Sequence, residues 1–188
     1  MSTGISHERA LELLHENIKN PNMVKHCLAS EAVMAALAGR LGEDRDKWAM
    51  AGLLHDLDVE LTGADLNVHG KETVRMLQAE GVDPEIVTAV KRHNEISSGE
   101  PRQSGLDHAL AAGETITGLV IATTLVYPDK RLSSVKAKSI TKRMKEKAFA
   151  ASVNRETIME CEQIGIPLPE FAQIALEAMQ GISDELGL

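Results

Sequence analysis

The sequence predicts an all-α fold, a single-domain helical bundle. Aromatic residues are only 2% of the 188 residues while Ala, Leu, Met and Glu abound, a composition suited to helices packed through aliphatic side chains. Apolar residues recur at spacings of three and four along most of the chain, the period of a helix with one buried face. Gly, Pro and Asn breakers separate these stretches, with no strand or hairpin signal and no internal repeat. A chain of this length suits one domain with a sizeable core.

Ser6 caps a first helix carrying Ala10, Leu11, Leu13, Leu14 and Ile18, and Asn20-Pro21 breaks it. A second runs from about Asn22 to Arg40, with Val24, Leu28, Val33, Leu37 and Leu41 on one face and Gly42 closing it. The third runs from about Asp44 to Leu57, with Trp48, Leu53 and Leu54 as core residues and His55-Asp56 at its end. A loop around Thr62 to Asn67 precedes a helix from about His69 to Glu80, which stops at Gly81. Asp83-Pro84 starts another that ends near His93. Ile96 to Gly105 reads as an exposed loop before a long apolar helix from about Leu106 to Val126, ended by Tyr127-Pro128. Lys136–Ala151, Asn154–Ile164 and Leu168–Met179 complete the helices. The core thus spans about 22–126, with the helices of about 136–184 packed on it, the last being either core or a subunit contact.

The formal net charge of −8 argues against general nucleic-acid or anionic-membrane binding, because both need broad positive potential. Two cysteines, Cys27 and Cys161, are too few for a disulfide framework. No positively charged start leads into an apolar signal core, and no run approaches spanning length, so the chain reads as soluble and cytoplasmic.

The stretch AGLLHDLDVE, Ala51 to Glu60, ends an apolar run on a histidine and an aspartate. Burying such groups is costly unless they are paired or hold a metal. His26, His55, Asp56, His69, His93 and Glu114 are distributed over five helices or helix ends, and a bundle can bring such ligands to one point. Taken singly, His69 and His93 are also ordinary helix-end residues, and Glu114 an ordinary carboxylate.

HCLASEAVM, LLHDLD, NVHG and KRHN, in that order and with apolar helical flanks, resemble the HD-domain metal-dependent phosphohydrolases, in particular the small bacterial proteins called HDIG-type. The resemblance covers roughly Val24 to Ile121. It implies that His26, His55 and Asp56 are the first three metal ligands. The fourth is normally an aspartate, and the matching position in ALAAGETITG is Glu114, with Asp107 two turns earlier in reserve. His69 and His93 match the additional histidines that bind a second metal in some branches, so one ion or two are both open.

The activity implied is hydrolysis of a phosphate ester or anhydride in a nucleotide or similar small metabolite, with Mn, Fe, Co, Ni, Mg or Zn as the divalent metal. Asp56 would be ligand and orienter; Asp58 would support a ligand, transfer a proton, or sit solvated at a helix end. An anionic substrate needs positive groups, and Lys130–Lys147 holds eight basic residues against Glu146 alone, net +7, leaving −15 for the rest of the chain. Lys136, Lys138 and Arg143 are the substrate-binding candidates there, although such a segment is more often a solvated helix face. The alternatives are an HD-fold di-iron oxygenase and a catalytically silent nucleotide- or metal-binding sensor. Cys27 is expected in the core, and His7, His15 and His108 on the surface. An oligomer is possible.

Overall fold

A computed structural model describes residues 3–188. The described residues form helices and no strand, in the order α1 His7–Asn17, α2 Pro21–Leu41, α3 Arg45–Leu54, α4 Lys71–Ala79, α5 Pro84–His93, α6 Glu95–Ser98, α7 Gly105–Leu125, α8 Ala137–Met144, α9 Arg155–Ile158, α10 Leu168–Gln180 and α11 Ser183–Leu186. Short 3-10 turns occupy Leu132–Ser134 and Met159–Ile164.

The helix starts follow local chemistry. Ser6, Asn20, Asp44, Asp83 and Ser104 each accept a hydrogen bond from a backbone N–H of the first turn they cap. Pro21 and Pro84 sit where a missing N–H costs nothing. Helix α7 is apolar around most of its circumference and packs against α2, α3, α5, α8, α9 and α10. Helix α10 buries Phe171, Ala172, Ala175, Leu176 and Met179 against α2, α7 and α8, so its apolar stripe is core.

Helices α2 and α3 approach closely at Gly52. A Cβ there would lie 2.6 Å from the Ser30 carbonyl oxygen and 2.9 Å from the Glu31 nitrogen, inside contact distance of rigid backbone. Glu60 reaches back to accept from the N–H groups of Lys19 (2.9 Å) and Asn20 (2.7 Å), tying the segment after α3 to the start of α2.

Several expectations need correction. Helix α3 stops at Leu54, with His55 as its terminal cap, and the chain continues through turns rather than helix to Leu57. His69 precedes α4 instead of opening it, because Gly70 takes a left-handed φ of 96° between them. Residues Ile96–Ser98 belong to the one-turn helix α6, capped by Asn94, and only the following residues are loop. The basic stretch expected as one helix from Lys136 to Ala151 ends at Met144. There the carbonyls of Phe149, Ala150 and Val153 turn inward onto the Arg155 guanidinium, which a continuous helix could not allow. The Asn154–Ile164 helix is one α turn continued as 3-10. His108 is not a free surface group: its Nδ1 lies 2.8 Å from Glu160, joining α7 to the 3-10 turn.

Candidate metal centre

The four motif histidines reach one point from α2, the end of α3, the turn before α4 and the last residue of α5. Asp56 follows His55 directly, and Glu114 comes from mid-α7. Side-chain exposure falls from 22% at Glu114 and 20% at His26 to 10% at Asp56, 8% at His69, 6% at His93 and 1% at His55. Solvent therefore reaches the centre across His26 and Glu114.

The ligand atoms form two groups, His26–His55–Glu114 and Asp56–His69–His93, each within 4.8 Å of one another. Asp56 stands between them. Its Oδ1 is 2.9 Å from His69 Nε2, 3.4 Å from His55 Nε2 and 3.6 Å from His93 Nε2, while Oδ2 is 3.6 Å from His26 Nε2. Glu114 Oε2 is 3.7 Å from His26 Nε2. Asp56 thus lies close to members of both groups, whereas Glu114 belongs to one of them.

Each of these four histidines has its Nδ1 committed elsewhere. His55 Nδ1 donates to the Gly52 carbonyl at 2.9 Å and His93 Nδ1 to the Val90 carbonyl at 2.5 Å; a carbonyl can only accept, so these nitrogens carry the hydrogen. Thr117 gives its hydroxyl proton to the Glu114 carbonyl at 2.6 Å, leaving its oxygen to accept from His26 Nδ1 at 3.0 Å. His69 Nδ1 donates to Asp58 at 2.7 Å. All four rings thus turn Nε2 inward, and second partners of this kind are what orient metal-ligating histidines.

The inward nitrogens are paired at short range, His26 Nε2 to His55 Nε2 at 3.2 Å and His69 Nε2 to His93 Nε2 at 3.1 Å. Lone pairs facing each other repel unless a proton or cation lies between them. Two nitrogens each about 2.1 Å from one ion stand roughly 3.0–3.4 Å apart for octahedral to tetrahedral arrangements. The donors present fit a divalent transition metal in each group.

Electrostatics agree with this donor set. Burial opposes ionisation of Asp56, but His55, His69 and His93 outweigh it and hold the carboxyl well below its ordinary range. Burial lowers the pKa of His26 and His93, favouring the neutral imidazole a metal requires, and raises that of Glu114. Burial also works against charge on His55, yet Asp56 prevails and raises its pKa. His69, despite the same opposition from burial, is pushed up to about 10 by Asp56 and Asp58 on its two nitrogens. Without metal, the two carboxylates thus favour the doubly protonated His69 ring.

A divalent ion at Nε2 displaces that proton, so binding at pH 7–9 is expected to release at least one proton. The His69 contribution shrinks as pH rises through about 10, where the metal-free ring has already lost it. Calorimetric titrations in buffers of different ionisation enthalpy read the count directly. Zero release at pH 8 would contradict the role of His69.

Asp58 is fully buried and hydrogen-bonded throughout, to His69 and to the N–H groups of Gly70, Glu72 and Thr73 at the start of α4. The solvated helix-end alternative is corrected by this burial, and the proton-transfer role by a carboxylate whose partners are all donors. Asp107 is likewise spent: it closes the capping box of α7 with Ser104 and pairs with Arg92 at 3.1 Å. Cys27 is in the core, and burial raises its thiol pKa well above the ordinary value.

Lys136, Lys138 and Arg143 are not brought to the metal ligands. Lys136 and Lys138 line a cavity of about 310 Å³ with Gln173, Leu176 and Gln180, and none of the candidate metal-binding residues lines it. Arg143 pairs with Glu146 and stacks 4.2 Å above the Phe149 ring. Helix α8 is anchored through Ser139 to Tyr127, beyond the C-terminal end of α7, which lies about 16 Å along the axis from Glu114. Sequence reasoning did not single out Lys71, Arg75 and Lys91, which line a cleft of about 290 Å³ with Gly70, Ser97 and Ser98. Lys71 and Arg75, four apart directly after His69-Gly70, were the available signal. Thr117, one turn after Glu114, was legible in the same way; the Gly52 and Val90 carbonyls were not.

No helix among the described residues is long and apolar enough to cross a membrane. No curated protein and no solved structure matches the chain. The HD-domain family matches residues 23–138, a stretch that contains every ligand described above. The chain belongs to the HD-domain family, whose superfamily is that of the metal-dependent phosphohydrolases.

Proposed function

We propose that this protein hydrolyses a phosphate ester or anhydride bond in a nucleotide or similar small phosphorylated metabolite, using divalent metal held by His26, His55, Asp56, His69, His93 and Glu114. The observation that carries the reading is Asp56, whose carboxylate lies within 3.6 Å of inward nitrogens of both ligand groups, His26 and His55 of one and His69 and His93 of the other. The chemistry a pair of divalent ions supplies is activation of water near neutral pH and withdrawal of charge from phosphoryl oxygens.

The chain's own residues do the rest. Fixed Nδ1 partners hold four imidazoles ready, so little reorganisation is needed when substrate binds. Approach is across His26 and Glu114, the exposed members of the set. The cleft of Lys71, Arg75 and Lys91 includes Gly70, whose backbone lies against the His93 ring, and its positive lining supports an anionic substrate. Lys91 and Arg75 are partly neutralised by Glu100 and Glu72, which makes Lys71 the freest charge of the three.

The test is a panel of phosphomonoesters, nucleotides and dinucleoside polyphosphates with protein loaded in turn with Mn, Fe, Co, Ni, Mg and Zn. Metal-dependent release of phosphate or nucleotide, lost in His55→Ala and Glu114→Ala, is the expected result. Oxygen-dependent product formation would replace hydrolase by oxygenase. Metal-loaded protein that leaves the whole panel intact would favour a sensor.

A further inference from the structure

Asp58 contributes more than a helix cap. Its Oδ1 accepts from His69 Nδ1 at 2.7 Å and from Gly70 N at 3.0 Å; its Oδ2 accepts from Gly70 N at 2.8 Å, Glu72 N at 3.0 Å and Thr73 N at 3.3 Å. Both oxygens face only donors, so the group is a carboxylate with no proton to lend. An asparagine would set its NH₂ against N–H groups in either orientation. Capping α4 engages Oδ2, whereas Oδ1 is aimed at a metal ligand.

The two ligand groups differ in the charge they bring. His26 and His55 have Glu114 to themselves and share Asp56; His69 and His93 have only the share of Asp56. The imidazoles of the first group are backed by neutral acceptors, the Thr117 hydroxyl and the Gly52 carbonyl. His93 is backed by the Val90 carbonyl, and His69 alone by an anion. A carboxylate behind a histidine raises its donor strength, and losing such a partner typically weakens metal binding about 10–100-fold. The missing negative charge of the second group is thus supplied through His69. Asn94, donating to the His69 carbonyl at 3.0 Å, pins the same residue from its main chain.

We infer that Asp58 decides whether this centre holds one metal ion or two: the His26–His55–Glu114 position binds without it, and the Asp56–His69–His93 position depends on it. Asp58 is a positioning residue acting through His69. The inference rests on the metal-binding part of the proposed function and is independent of the hydrolytic part.

Titration of metal-free protein with Mn²⁺ alone, counting free ion by electron paramagnetic resonance, tests it. Wild type is expected to bind two equivalents. Asp58→Asn should keep one at wild-type affinity and weaken the other tenfold or more; Glu114→Gln should weaken the opposite one. A general loss of structure would strike both classes together, and that result, a single equivalent in wild type, or two unweakened equivalents in Asp58→Asn overturns the inference. Imidazole NMR of wild type decides the matter even if Asp58→Asn does not fold. The His69 Nδ1 proton should be slow to exchange and shift with only one of two Zn²⁺ equivalents, and a freely exchanging or unresponsive proton overturns it. Two Mn²⁺ classes with no hydrolysis of any phosphorylated compound would remove the hydrolase reading alone.

Discussion

Asp56→Asn is expected to abolish phosphate release, lowering kcat by more than about 10³-fold, equivalent to roughly 4 kcal/mol of lost transition-state stabilisation. The reason is its place between the two ligand groups, within 3.6 Å of all four inward nitrogens. Asparagine keeps the shape and one acceptor oxygen but removes the negative charge that both positions share. Steady-state kinetics with the most active metal, together with metal content after gel filtration, check the prediction. Because neutral imidazoles remain, some metal at very high concentration is expected, but without restored turnover. Retention of two ions and near-native kcat would mean that Asp56 does not link the groups.

Gly52→Ala carries the largest expected effect on stability. The added methyl would meet the Ser30 and Glu31 backbone at 2.6–2.9 Å, and neither partner is a side chain that can swing aside. Overpacking of this kind costs about 1–3 kcal/mol, and for a protein of this size each kcal/mol lowers Tm by roughly 2–4 °C. Thermal unfolding followed by circular dichroism reads the loss. The variant should also bind metal more weakly than its residual fold implies, because the Gly52 carbonyl orients His55 and must move with α3. An unchanged Tm would show that α2 and α3 can separate freely.

These two residues show how unevenly the sequence reports on the site. His55 and Asp56 are conspicuous because two titratable groups end an apolar run, and burying them unpaired would be costly. Gly52, three residues earlier, is an inconspicuous glycine in a helix until α2 is placed against it. The same holds for Asp58: as a string, HDLD leaves its second aspartate open between surface group and ligand support. Only the return of the chain through Gly70 to Thr73 closes the carboxylate in among donors.

The basic segment misled for a related physical reason. Charge clustering along the chain says how positive a stretch is but not where it points, and α8 is held by Tyr127 and α10 at the far end of α7. Lys71, Arg75 and Lys91, diluted by acidic neighbours in sequence, converge beside Gly70 because α4, α5 and α6 fold onto one another. Breakers and caps act within a few residues, so most helix ends were readable to within a turn. The break after Met144 was not, since Arg155 draws in carbonyls from several residues upstream.

What the sequence by itself determined is therefore the local and the compositional: an all-helical chain, its main breaks, and membership of the HD-domain family, with histidines and carboxylates as candidate ligands. Tertiary structure alone decided that these candidate ligands divide into two groups with Asp56 close to both, that Glu114 belongs to one of them, and that Asp58 stands behind His69. The division follows from range. Periodicity and capping are set by neighbours along the chain, whereas the facing of two Nε2 atoms at 3.2 Å is set by packing between helices 29 residues apart in sequence.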